Sequence, residues 1–233
     1  MTNGGGPDIV GHFREGLDVL KRYPTLIIPE VAVQVVLFVL TLVLLGGTAA
    51  LFLVGGVAGG IVGALGAALL FMVVSGVLSL MASGVVIVMA RDALAGRDPA
   101  LGDSVGTVMG RFVDVLVASV IAMIIVGVGI LLLVLPGIVA GFFLIFTLPA
   151  VLLDGDGAVD ALKRSFGVVK ANVGPVVGLV IGWIVTGVVL MIAGKILGFV
   201  PVLGQLAAAI LVGAGLTYLT VVTVRVYQAL PRR

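Results

Sequence analysis

Charged residues divide the chain into long apolar stretches and short polar connections. The sixty residues from Val31 to Ala90 contain no Lys, Arg, Asp, Glu or His, whereas a helix needs only about 20 apolar residues to cross the hydrocarbon of a bilayer. Further stretches without Lys, Arg, Asp or Glu run over 115–153, 171–194 and 196–224. The pattern therefore predicts an all-α integral membrane protein.

Pro and Gly clusters divide these stretches into six predicted membrane spans. The fourth is short for a bilayer of about 30 Å, and the Gly-rich segment 46–60 between the first two is either a surface loop or a re-entrant half-helix. An N-terminal tail and interfacial helix, 1–23, precede a predicted transmembrane domain, 24–230. The predicted spans are 24–46, 61–90, 112–134, 138–153, 174–195 and 204–227.

Amphipathic segments precede the first, third and fifth spans, at 8–22, 98–111 and 157–171. In each, apolar residues recur at helical spacing and basic residues lie on the other side. We expect these segments to be helices that lie in the inner headgroup layer. The order predicts three weak parallel repeats of interfacial helix, outward span and returning span, with pseudo-threefold packing.

The basic residues are distributed unequally between the two predicted sides of the membrane. Of 13 Lys and Arg residues, only Lys195 falls on the side opposite to the N-terminus. This asymmetry predicts a multi-pass protein of the cell inner (cytoplasmic) membrane with both termini in the cytoplasm. The basic residues are too few and scattered to track a nucleic acid, so we expect membrane lipids as partners and no nucleic acid.

Two sets of residues are candidates for a functional site. Ionisable groups inside a membrane are functional candidates because each costs about 2.5–3.5 kcal/mol at a helix centre. The alternatives are ion pairs with basic residues at the boundary for the acids, and bonds to the residues' own helix carbonyls for the hydroxyls. The candidates for contact with lipid headgroups are Lys21, Arg22, Arg111, Lys163, Arg164 and Lys170. The intramembrane polar candidates are Glu30, Gln34, Ser75, Ser79, Ser83 and Asp114.

Glycine supplies 35 of the 233 residues, and many glycines are four apart. Small residues at that spacing allow helix backbones to approach closely in lipid. The pairs serve either packing within the chain or contacts of a homo-oligomer, and the sequence leaves both open.

Enzyme motifs fail on inspection. His12 is the single histidine, no plausible nucleophile stands beside it, and cysteine is absent, so we expect neither a catalytic triad nor a zinc site. The segment 154–157, Asp-Gly-Asp-Gly, begins like a calcium loop, but Ala158 replaces the third oxygen ligand and Ser165 stands where a bidentate Glu is required. It is better interpreted as a turn. We expect a non-enzymatic protein without metal or cofactor.

Several short motifs resemble a bacterial and archaeal family of six-span membrane proteins. They are Leu135-Pro136-Gly137, Pro149-Ala150, the segment Asp160 to Phe166, and Asn172. The family includes the YciC-like inner-membrane proteins and the membrane domain fused to some glycerophosphodiester phosphodiesterases. The resemblance covers about residues 135–175 and implies a six-span fold, in which a Leu-Pro-Gly turn starts span four and a proline ends it.

Two hypotheses on function follow. The first is a non-enzymatic inner-membrane protein of the envelope-maintenance or lipid-associated class, whose basic interfacial helices contact anionic headgroups. The alternative is a small transporter or channel with a path between the helix repeats, lined by Ser and Thr and gated near Glu30.

Overall fold

The computed structural model describes residues 9–231, and every regular element within that range is helical. Short 3₁₀ and π turns occupy Pro24–Ile27 and Ala150–Asp154. The α-helices are α1 (Ile9–Arg22), α2 (Ile28–Leu94), α3 (Leu101–Gly110), α4 (Phe112–Leu132), α5 (Val134–Phe143), α6 (Thr147–Pro149), α7 (Ala158–Ala171), α8 (Val173–Leu197) and α9 (Leu203–Ala229).

The long helix α2 is a hairpin of two antiparallel arms. Gly56 has φ +61° and ψ −154°, a conformation outside the helical region that an L side chain rarely adopts. The arms 28–55 and 57–94 meet along their length, since Glu30 bonds Ser83 and Leu51 packs at Gly63. The prediction of a loop or re-entrant half-helix over 46–60 is therefore wrong, because both arms stay helical up to a single reversing glycine.

Five helical segments of the described chain are long and apolar enough to cross a membrane. They are Pro24–Leu94, Phe112–Leu132, Val134–Asp154, Val173–Leu197 and Leu203–Ala229. Because the first segment reverses at Gly56, it contributes two arms of about 42 and 57 Å at 1.5 Å per residue. This all-α architecture is compatible with a membrane protein.

Each of three hairpins is preceded in the chain by a shorter helix, and that helix packs on a different hairpin. Helix α1 packs on α8 and α9, α3 on α2, and α7 on α4, α5 and α6. The first short helix thus contacts the last hairpin, and each later one contacts the hairpin before it. This arrangement closes the three units into a ring, in which α2 also packs extensively against α9.

The buried core lies at one end of this ring, which we call the core end. It contains the C-terminal part of the second arm of α2 (85–93), the π turn, and the C-terminal part of α9 together with Leu230 (221–230). The hairpin tips point away from it. Leu53, Val54 and Leu131 near the tips are exposed, so tertiary packing is concentrated where the short helices cover the hairpins.

Candidate functional site

The helical path between α5 and the π turn is interrupted, and α7 covers the interruption. Residues 144–146 are not helical, which leaves backbone groups without partners in the helix. Ser165 of α7 supplies the missing partners. Its buried hydroxyl donates a hydrogen bond to the carbonyl of Phe143 at 2.8 Å and accepts one from the N–H of Phe146 at 3.1 Å. The predicted fourth span, 138–153, lies within the apolar segment Val134–Asp154, and its helix is interrupted at residues 144–146.

The other motif residues of this region also make specific contacts. Gly137 lies against α4, where a Cβ would come within 2.6 Å of the backbone nitrogen of Ile130. The Phe166 ring lies 4.7 Å from the ring of Phe143. The side-chain amide of Asn172 donates to the carbonyls of Val168 and, at 3.4 Å, Pro231. The motif therefore holds α7 against α5 and the C-terminal segment.

A polar cluster holds the turn between the π turn and α7. Gly155 has φ +77° and its carbonyl accepts a hydrogen bond from Arg111 at 2.8 Å. Arg164 forms ion pairs with Asp156 and Asp154, and the hydrogen bond with Asp156 raises the pKa of its guanidinium. The Tyr227 hydroxyl donates to Asp154 at 2.5 Å. Arg111 and Arg164 are thus structural partners of this turn.

An apolar groove of about 580 Å³ lies between the α4–α5 hairpin and α7. Phe143, Leu144 and Phe166 contribute to its wall, and Lys163 is the basic residue that lines it. Lys163 is exposed and pairs with the equally exposed Asp160 at 3.4 Å, an arrangement worth about 0–1 kcal/mol. Its ammonium group is therefore easily redirected to another anion. A smaller groove beneath α3, of about 280 Å³, has no basic residue in its lining.

The remaining headgroup candidates are exposed at the core end. Lys21 and Arg22 end α1, and Lys170 lies on the exposed side of α7. The apolar sides of the short helices are not all turned away from the rest of the protein. Ile9 and Phe13 of α1 pack at Gly178 and Gly182, because these glycines leave space on α8. The apolar stripe of α1 is therefore partly covered by the α8–α9 hairpin.

Glu30 is the most buried of the intramembrane polar candidates. It has no exposed surface, and its Oε1 accepts a hydrogen bond from Ser83 at 2.7 Å. Its Oε2 is buried without a hydrogen-bond partner in residues 9–231. The predicted boundary ion pair is not found for Glu30, since no basic side chain of the described range forms a salt bridge with it. Helix α9 packs Gly213 against the backbone at Glu30 and Val31.

The structure does not join the other intramembrane candidates to Glu30. Ser75 donates to the carbonyl of Met72 in its own helix. Gln34, Ser79 and Asp114 are partly buried and form no hydrogen bond with another described side chain. Only Ser83 shares a polar contact with Glu30, and the 53-residue separation of this pair follows from the reversal at Gly56. The sequence indicated both Glu30 and Ser83 as candidates but did not predict that they are partners.

Many of the glycines serve contacts within the chain. A Cβ at Gly59, Gly60 or Gly63 would meet the opposite arm of α2, and one at Gly213 would meet the first arm. These contacts agree with the packing interpretation, whereas homo-oligomer contacts stay a prediction.

Comparison with known proteins gives one match. A family model described as a domain of unknown function matches residues 8–230, which includes all three hairpins and the short helices that cover them. No curated protein and no solved structure matches the chain.

Proposed function

We propose that this chain, which belongs to the DUF7847 family, is a six-span, non-enzymatic inner-membrane protein that binds anionic phospholipid at its cytoplasmic side. The six spans are the two arms of α2, then α4, α5 together with the π turn, α8 and α9. The core end faces the cytoplasm. Three parallel helix-hairpin units and the resemblance to the YciC-like family support this architecture. The positive-inside asymmetry of the sequence supports the orientation.

The single observation that carries the proposal is the groove that ends at Lys163. Its walls are apolar and suit an acyl chain, while an ammonium group at its edge suits a phosphate. A volume of about 580 Å³ lies in the range of small-molecule binding sites. A phospholipid presents these two features in the same order, a charged headgroup and an adjoining hydrocarbon chain.

Lipid retention by the purified protein tests this proposal. Native mass spectrometry of the protein released from micelles containing phosphatidylglycerol should show bound lipid, and Lys163→Gln should reduce its occupancy about fivefold, as expected for one basic residue. Lys170→Gln is the matched control, because Lys170 is exposed on the same helix but does not line the groove.

Filling the groove provides a second, charge-independent test. Ala140→Trp places a large side chain in the groove and should also displace lipid. Ala32→Trp in the smaller groove beneath α3 is its control. Equal occupancy in Lys163→Gln, Ala140→Trp and the native protein would contradict the lipid site.

A small transporter or channel is the second candidate function, and Glu30 is the observation that favours it. This carboxyl has no exposed surface, and one of its oxygens has no hydrogen-bond partner within residues 9–231, which is costly to retain for packing alone. Against a hydroxyl-lined path, Thr217, Thr220 and Thr223 all donate to carbonyls of their own helix. Proton or ion flux can be measured in reconstituted vesicles. If the native protein shows a flux and Glu30→Gln abolishes it without unfolding the protein, transport is the function rather than lipid association.

A further inference from the structure

Another apolar groove lies between α8 and α9, near the end of α8 that is remote from the core end. Its volume is about 500 Å³, and Leu190, Met191 and Leu216 contribute to its walls. Two glycines of α8, Gly187 and Gly194, leave it open: a Cβ at Gly187 would meet no atom within 4 Å, and one at Gly194 would only touch Ala208 at 4.0 Å. The surface over these two glycines is therefore open to a chain of methylene groups.

Lys195 lines this groove and has no counter-ion among the described residues. It is exposed, and it forms no salt bridge in residues 9–231. The last acidic residue of the whole sequence is Asp160, so α8 and α9 contain no carboxylate. The other stretches that form hairpin tips, 46–60 and 131–137, contain none either.

The position of Lys195 makes this lack of a counter-ion significant. Lys195 lies about 34 Å along α8 from Asn172 at 1.5 Å per residue, a distance comparable with the hydrocarbon thickness of a bilayer. A lysine near the end of a membrane helix extends its ammonium group to the headgroup layer. Since no carboxylate in residues 9–231 pairs with Lys195, its ammonium group is available to an anion from the surroundings.

We propose that the α8–α9 groove binds an anionic phospholipid of the outer leaflet, with an acyl chain over Gly187 and Gly194 and the phosphate at Lys195. The charge complementarity is specific to this end of the molecule, where no protein carboxylate competes for the ammonium group. The site is separate from the groove at Lys163. The leaflet assignment follows the proposed topology, whereas the occupancy of the groove does not depend on the function assigned to the other site.

Photo-crosslinking in nanodiscs tests the site on the full chain. The probe is phosphatidylglycerol with a diazirine in its acyl chain, and the labelled residues are located by peptide mass spectrometry. We expect labels on the groove residues of α8 and α9. Lys195→Gln should reduce them about fivefold, the change expected for one basic residue near an anionic headgroup, and Lys195→Arg should retain them.

Matched glycine variants test the apolar part. Gly187→Leu fills the groove, whereas Gly66→Leu adds the same side chain on α2 at another glycine with no atom within 4 Å. Labelling in the groove should fall in the first variant and persist in the second. Lys163→Gln should leave it unchanged, so that failure of this site and failure of the cytoplasmic-side site are seen separately.

Three outcomes would overturn the proposal. Equal labelling of Lys195→Gln and the native chain would show that the lysine does not recruit the lipid. Equal labelling by a phosphatidylcholine probe would show that the groove does not select anionic lipid. Loss of labelling on addition of inorganic phosphate would show that Lys195 binds a soluble anion instead.

Discussion

The hydroxyl of Ser165 accepts a hydrogen bond from the backbone N–H of Phe146, 3.1 Å away. Ser165 lies in α7 and Phe146 in the break between α5 and α6, and the bond replaces one that the interrupted helix cannot make. Because Ser165 also donates to the carbonyl of Phe143, a single side chain satisfies both edges of the break. Because α7 forms one wall of the Lys163 groove, the shape of that groove depends on these hydrogen bonds between α7 and the break.

Removing this hydroxyl should destabilise the protein. Ser165→Ala leaves a buried N–H and a carbonyl without their partner, which costs about 1–3 kcal/mol. Unfolding by SDS in mixed micelles should report the loss. Ser75→Ala is the control, since Ser75 bonds only a carbonyl of its own helix and should change stability little. Equal effects of the two variants would mean that α7 is held by apolar contacts alone.

The contact between Gly213 and the first arm of α2 should not accept a side chain. A Cβ at this position would lie 2.9 Å from the Cα of Val31 and 3.0 Å from its nitrogen, and backbone cannot rotate away. We expect Gly213→Ala to destabilise the protein by about 1–3 kcal/mol, a typical cost of overpacking. Gly187→Ala, at a glycine with open space, should be tolerated. Unfolding curves of the two variants compare these positions directly.

The Glu30–Ser83 pair should couple the two arms of α2. Ser83→Ala removes the donor to a buried carboxyl and should cost about 1–3 kcal/mol, whereas Glu30→Gln retains an acceptor and should cost less. In a Glu30→Leu background the Ser83→Ala change should cost less than in the native chain, because the partner is already gone. A double-mutant cycle measures this coupling, expected at about 0.5–3 kcal/mol for residues in contact. Simple additivity would contradict it.

The proposed topology predicts opposite accessibility for two exposed positions. Gly157 lies in the turn before α7, and Phe199 lies between α8 and α9. The native chain has no cysteine, so single cysteines can be introduced without background labelling. Gly157→Cys should react with a membrane-impermeant maleimide only after the cells are opened, and Phe199→Cys should not become more reactive on opening. Labelling of Gly157→Cys in intact cells would contradict the proposed orientation and place this turn on the outer side of the membrane.

Local properties of the sequence were sufficient for the helical class and for the positions of most helices. The charge-free stretches predicted helices close to α4, α8 and α9, and the amphipathic segments predicted α1, α3 and α7 within a few residues. The reason is that a helix satisfies its backbone hydrogen bonds within one segment, and its apolar pattern is legible along that segment alone.

The partners across the fold were decided only by tertiary structure. Three findings depend on contacts between distant segments. Gly56 rather than its glycine neighbours reverses α2, Ser165 bridges the break after α5, and Glu30 contacts Ser83 instead of a basic residue. The cyclic exchange, in which each short helix covers a hairpin other than its own, has the same origin. Apolar periodicity shows which side of a helix is to be covered, but the shape of the neighbouring surface, set here by glycines such as Gly178 and Gly182, selects what covers it.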